Sequence, residues 1–273
     1  VTHSMKYILT GVSEVDSFPG YTAVGMVDDI PFVYFDSNIK RMITKTEWIK
    51  ENEGTDYWDR ESQRESGWMS TFKNNIQIAM QRFNQTAGVH TFQLMYGCEW
   101  DDQTGAKDVF REFGYDGEDF LSLDWKEMRY ISPVQEGIPT IQKWNNDRAN
   151  LEGRKHYLGT LCIEWLQKYL QYGKSSLQKT VSPQVSLLQK DPSSPVTCYA
   201  TGFYPSGVTI SWMKNGQELY ENVDLGELLY NEDGTFQKSS TLRVTPDEWK
   251  KNKFSCVVEH QGDTKTVDEI RTN

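Results

Sequence analysis

Hydrophobic residues recur in two different rhythms along this chain, and the change falls near residue 178. Before it, two successive stretches each open with strand-like runs separated by turn residues such as Pro19-Gly20, Asp28-Asp29 and Asp116-Gly117. Each stretch then closes with apolar residues at a period near 3.6. Trp68, Phe72, Ile76, Met80 and Phe83 fall on one face of a first helix. Leu151, Leu158, Cys162, Trp165, Leu166 and Tyr169 do so on a second. Gly137 and Pro139 mark the start of the second helical stretch and Gly173 its end. The two stretches are a weak internal repeat. Ser4-Met5-Lys6-Tyr7 corresponds to Gln93-Leu94-Met95-Tyr96, and Phe32-Val33-Tyr34-Phe35-Asp36 to Phe120-Leu121-Ser122-Leu123-Asp124. Strands followed by a helix, twice, predict an α+β fold: one antiparallel sheet platform topped by two helices, built from residues 1–87 and 88–178. Only one stripe of each helix can rest on the sheet, so a trough must run between them, and troughs are natural ligand sites.

Residues 179–273 alternate with period two. Val196, Cys198 and Ala200 follow that pattern, as do Val208, Ile210 and Trp212, then Leu242 and Val244, then Phe254, Cys256 and Val258. Asn215-Gly216 and Asp233-Gly234 are hairpin turn signals. Cys198 and Cys256 bracket Trp212, with Phe203-Tyr204-Pro205 between the first cysteine and the indole. That spacing predicts an all-β immunoglobulin constant-type sandwich whose sheets are joined by a disulfide packed against tryptophan.

Composition narrows the function. The 273 residues carry a net charge of -10, which repels a phosphate backbone and argues against nucleic acid as a partner. No apolar run approaches the roughly 20 residues needed to span a bilayer, and Val1 opens no signal peptide. The chain is therefore read as a mature ectodomain of a membrane-anchored protein, cut before its anchor. The 4 cysteines form an even set without a Cys-x-x-Cys pair. His3, His90, His156 and His260 are scattered, so no metal site is expected and two structural disulfides are. No nucleophile elbow, metalloprotease helix or glycine-rich phosphate loop appears, so neither catalysis nor a cofactor is expected.

Several motifs in order give the chain a family likeness. They are Ser4-Met5-Lys6-Tyr7, Ala23-Val24-Gly25-Met26-Val27-Asp28-Asp29, Tyr57-Trp58-Asp59, Met95-Tyr96-Gly97-Cys98, Cys162-Ile163-Glu164-Trp165-Leu166 and Gly202-Phe203-Tyr204-Pro205. Together they resemble the heavy chain of major histocompatibility complex class I over essentially the whole length. The resemblance implies a peptide groove, a disulfide between Cys98 and Cys162, and a light chain, beta-2-microglobulin. It implies cell-surface display of short peptides to T-cell receptors. It also implies a glycan at Asn84, within the sequon Asn84-Gln85-Thr86, and co-receptor docking on one acidic loop formed by Glu218, Glu221 and Asp224.

The same resemblance assigns the groove residue by residue. Tyr7, Tyr57, Tyr157 and Tyr169 surround the peptide's amino end, Trp165 closes it, and Tyr96 belongs to the ligand-facing set. Phenolic hydroxyls donate and accept, so they can ring an ammonium without reading any side chain. Thr140, Lys143 and Trp144 match residues that hold the peptide carboxylate. Arg82 departs from the tyrosine of mammalian presenting chains and is similar to non-mammalian ones. A guanidinium there can pair with a carboxylate or reach a backbone carbonyl, the second of which would let a longer peptide extend. The rival reading is a class I-like relative that holds a lipid or metabolite, or a protein-binding receptor with a shut groove.

Overall fold

The computed structural model describes residues 1–13, 16–177 and 179–267. The chain divides into two compact units, Val1–Leu177 and Gln178–Asn273.

In the first unit an eight-stranded antiparallel sheet has the order β4-β3-β2-β1-β5-β6-β7-β8. Its first half is β1 (Thr2–Val12), β2 (Tyr21–Val27), β3 (Ile30–Asp36) and β4 (Ile43–Thr44). Its second half is β5 (Thr91–Asp101), β6 (Lys107–Tyr115), β7 (Glu118–Asp124) and β8 (Arg129–Ile131). The halves join along β1 and β5, whose register runs from Thr2 opposite Asp101 to Val12 opposite Thr91. Tyr7 sits opposite Tyr96 in that ladder. These are the two residues the internal repeat makes equivalent, so an approximate two-fold axis passes between them. Their rings stack with centroids 5.5 Å apart.

Gly97 is the next residue along and faces Lys6. A Cβ there would overlap the Met5 carbonyl oxygen and lie 2.9 Å from Lys6 Cα. The central seam therefore closes only over glycine. Gly25 plays a related part opposite Tyr7, because a Cβ would come 2.8 Å from the Tyr7 ring.

Alternation along β1 buries Met5, Tyr7 and Leu9 towards the helices. On the opposite face Ile8 lies beside Val24 and Met95 in register, a half-buried apolar stripe. A short helix α1 (Glu47–Asn52) leads into α2 (Thr55–Arg82), which buries Tyr57, Glu61, Glu65, Phe72 and Ile76 along one stripe. Helix α2 ends on Phe83 and Asn84. Asn84 is left-handed (φ 55), its N–H bonds the Gln81 carbonyl, and the Gln85 N–H bonds that of Met80. This is a Schellman cap with asparagine in the position usually held by glycine.

The second helical stretch is not one continuous helix, as its sequence pattern had predicted. It runs as α3 (Ile138–Asn146), α4 (Arg148–His156), a π-helical turn (Tyr157–Leu161), α5 (Cys162–Tyr172) and α6 (Lys174–Leu177). The break is chemical. Asp147 leaves helical geometry and its carboxylate accepts the Asn150 N–H at 3.1 Å, capping α4. Pro139 lies in the first turn of α3, where its missing N–H is harmless. Cys162, just after the π turn, is bonded to Cys98 on β5 across a separation of 64 residues.

The second unit is a sandwich. One sheet contains β9 (Gln184–Leu188), β10 (Val196–Phe203), β13 (Val223–Leu225), β14 (Leu229–Tyr230) and β15 (Phe236–Leu242). The other contains β11 (Thr209–Lys214), β12 (Gln217–Leu219), β16 (Phe254–His260) and β17 (Asp263–Val267). Val208 and Val244 fall just outside the strands expected to hold them. Cys198 and Cys256 are bonded, and Trp212, opposite Cys256 and 1% exposed, donates its indole N–H to Ser240 Oγ at 3.1 Å. A one-turn helix α7 (Pro246–Lys251) is capped by Thr245.

Candidate functional site

The trough of the first unit has two chemically different ends. At one, α2 and α5 bring Tyr57 and Tyr169 hydroxyl to hydroxyl at 2.7 Å. Trp165 packs on both, with centroids 6.0 Å from Tyr57 and 5.3 Å from Tyr169. Tyr7 rises from β1 beneath them, and Tyr157 meets the ring of Tyr96 edge-on at 6.1 Å. All four tyrosines assigned to the amino end, with Trp165 and Tyr96, therefore share one region. Burial holds each phenol above its usual titration range. A cavity of about 430 Å³ opens beside them, lined by Glu53, Asp56, Tyr57, Arg60, Trp165 and Lys168.

At the other end Arg82, Thr140, Lys143 and Trp144 line one cavity of about 170 Å³. Arg82 Nη1 donates to the Thr140 hydroxyl and to the Glu136 carbonyl, the latter at 3.4 Å. The guanidinium thus ties α2 to the opposite helical stretch. Lys143 forms no hydrogen bond or ion pair among the described residues, and no group there accepts the Trp144 indole N–H. The indole is held in place by Phe113 and Tyr130, at 5.2 and 5.0 Å.

Charged side chains occupy the space between. Arg64 lies over the Tyr7 ring at 5.0 Å, with Glu61 at 2.5 Å from its Nη2 and Glu65 at 3.4 Å. Glu65 also accepts the Tyr21 hydroxyl at 2.7 Å. One guanidinium therefore serves two buried carboxylates, and Glu61 Oε2 has no hydrogen bond of acceptable geometry despite its closeness to Arg64. Burial raises the titration of both carboxyls, against the pull of Arg64.

The family model for class I histocompatibility antigen, domains alpha 1 and 2, matches residues 1–177. This chain belongs to the class I histocompatibility family. An immunoglobulin C1-set model matches residues 180–263. The chain is 35% identical to the mouse (Mus musculus) protein named major histocompatibility complex class I-related protein 1, over 96% of this chain and 76% of that one. It is 34% identical to the F10 alpha chain of a chicken (Gallus gallus) class I histocompatibility antigen, covering 94% and 74%. It is 35% identical to the B alpha chain of a Saguinus oedipus class I antigen, covering 96% and 72%. The class I family is not enzymatic.

Sequence reasoning missed the charged interior of this class I groove, although two signals were present. Glu61 and Glu65 continue the inward stripe of α2, spaced by four from Tyr57. Arg111 interrupts the buried series Val109, Phe113 and Tyr115 on β6, and it is only 4% exposed. The acidic residues of the second unit also differ from expectation. Glu218 lies on β12, Asp224 on β13 and Glu221 in the turn between them, so they do not form one loop. All three are exposed, and Asp224 pairs with Arg243 at 2.9 Å.

The raised carboxyls give the first unit a pH dependence. A carboxyl with a raised folded value binds its proton more tightly when folded. Its stabilising contribution is complete below the usual value near 4.5 and is lost as pH rises through the raised one. Protein without ligand should therefore lose thermal stability as pH rises above about 4.5, and Glu61→Gln should flatten that slope in melting curves.

Proposed function

We propose that this chain is the heavy chain of a cell-surface receptor that holds a short peptide by its two termini and displays it to T-cell receptors. The polarity of the trough carries this reading. One end offers phenolic hydroxyls and the under-bonded Glu61, which suit an ammonium. The other offers Arg82, the Thr140 hydroxyl, and Lys143 and the Trp144 indole N–H, which have no partner among the described residues; these suit a carboxylate and the carbonyl before it. A peptide is a zwitterion of that polarity; a lipid or neutral metabolite is not. The peptide's amino end would displace Arg64 from above Tyr7. Tyr57 and Arg82 bound the groove along α2, about 38 Å apart at 1.5 Å per residue. A fully extended chain needs about eleven residues to cover that whole span, and a shorter one must be met by side chains reaching in from both limits.

The half-buried stripe of Ile8, Val24 and Met95 under the sheet suits a light-chain partner, beta-2-microglobulin. Glu218, Glu221 and Asp224 suit a co-receptor contact, and the exposed Asn84 a glycan. No helix among the described residues is long and apolar enough to cross a membrane.

Acid elution of the light-chain complex, followed by mass spectrometry, tests the reading. Peptides of about eight to eleven residues are expected; lipids, small metabolites or no ligand would overturn it. Charge-assisted end contacts contribute about 1.5–3 kcal/mol each. Tyr169→Phe combined with Lys143→Ala should therefore shorten peptide half-life by at least about tenfold. An unchanged half-life would remove the assignment of both ends.

A further inference from the structure

Arg111 is a buried cation that no carboxylate among the described residues pairs. It stands on the floor strand β6, in register with Tyr96, and is 4% exposed. Its Nε donates to the Tyr130 hydroxyl at 3.1 Å. Its guanidinium rests against the rings of Trp68, Phe113 and Tyr96 at 5.6, 5.1 and 5.8 Å. Among the described residues no carboxylate lies within ion-pair distance, and no hydrogen bond engages its two terminal nitrogens. A second guanidinium, Arg154 from α4, lies over the same Trp68 indole at 5.8 Å. It too has no carboxylate partner among the described residues. Two like charges thus converge on one ring from the floor and the far wall of the trough.

This arrangement is costly as it stands. A buried charge is normally paired, since taking an isolated guanidinium out of water is strongly unfavourable. Ring faces and one phenol offset part of that, yet they satisfy one of five guanidinium donors. The nearby carboxylates face Arg64 instead: Glu65 accepts from Tyr21 and Arg64, and Glu61 lies against Arg64, with neither within ion-pair distance of Arg111 or Arg154 among the described residues. Arg111 and Arg154 therefore stand in the groove without a facing carboxylate among the described residues.

We infer that the middle of the trough selects an acidic ligand side chain, whose carboxylate is clamped between the Arg111 floor guanidinium and Arg154 on the opposing helix. The inference rests on the peptide reading above and adds a charge preference to it. A carboxylate there receives charge-assisted hydrogen bonds from both guanidiniums and relieves their mutual repulsion. An amide of the same shape does neither. A lysine adds a third positive charge.

The test uses the heavy chain refolded with its light chain and one peptide of roughly nine residues. Each central position in turn is set to Asp, Asn or Lys, and peptide dissociation is timed. At one central position Asp should extend the half-life about tenfold or more over Asn, with Lys shorter than either. In Arg154→Gln that advantage should fall below about twofold, while the Asn peptide is held as before. Arg154 is only partly buried, so this variant reports even if Arg111→Gln fails to fold. Where Arg111→Gln does fold, the same loss is expected. Equal half-lives for Asp and Asn at every central position, or an Asp advantage that survives in Arg154→Gln, overturn the inference and leave the peptide reading intact. Failure to retain any peptide, whatever its charge, overturns the peptide reading and this inference with it.

Discussion

Replacing Gly97 by alanine is expected to abolish folding of the first unit. The added methyl would collide with the Met5 carbonyl oxygen and Lys6 Cα, both main-chain atoms of the paired strand. No side-chain rotation relieves such a clash, so β1 and β5 would have to part where the two half-sheets meet. Separating them breaks the ladder around Tyr7 and Tyr96 and detaches Cys98 from its neighbours. The loss should exceed about 4 kcal/mol, the range reserved for a few severe mechanisms. The readout is the yield of monodisperse refolded protein. Gly67 on α2 and Gly153 on α4 provide the contrast, because a Cβ at either meets nothing within 4 Å. Alanine at those positions should raise stability by about 0.5–1 kcal/mol. Normal yield from Gly97→Ala would mean that the seam adapts in a way this packing does not allow.

The second large effect is expected from removing the groove disulfide with Cys98→Ser and Cys162→Ser together. Closing a 64-residue separation constrains the unfolded chain by about 4 kcal/mol in the chain-entropy account. For a unit of this size, that corresponds to a fall of roughly 8–16 °C in melting temperature. The local consequence is sharper. Cys162 starts α5 directly after the π turn that carries Tyr157, and Trp165 and Tyr169 follow within two turns. The bond to β5 therefore fixes the helix that supplies half of the amino-end cluster. Peptide dissociation should accelerate even at temperatures where the reduced variant stays folded. A lower melting temperature with unchanged dissociation would separate the global brace from the local one.

Much of this architecture is readable in the residues because the signals are periodic. Met5, Tyr7 and Leu9 alternate, and Phe72 and Ile76 recur at helical spacing. The Tyr7 and Tyr96 motifs announced a repeat whose equivalent residues prove to be register partners. Breaks are harder to read than periods. Asp147 ends one helix and caps the next within a stretch whose apolar stripe continues across it, so hydrophobic spacing passes over the join. The π turn at Tyr157–Leu161 inserts extra residues per turn, and its one glycine, Gly159, sits inside an apolar stripe that continues on both sides, so the spacing alone does not mark it. Arg111 and Glu65 were harder to read for a different reason. A charged residue on a strand or helix is ordinarily assigned to the wet face, so their places on buried stripes of β6 and α2 were weak signals until the packing showed both pointing inward. The four tyrosines proposed for a peptide's amino end were named together through the family likeness; the contact between Tyr57 and Tyr169 was not foreseen.

The cap at the end of α2 has a practical corollary for anyone wishing to strip carbohydrate from this molecule. Asn84 would bear the sugar, and it also adopts a left-handed backbone that asparagine tolerates far better than glutamine. Exchanging it would remove the oligosaccharide and unsettle the helix terminus beside Arg82 in one stroke. Thr86, two residues on, takes no part in the two hydrogen bonds of that cap, so altering it silences the acceptor sequence while the terminus keeps its shape.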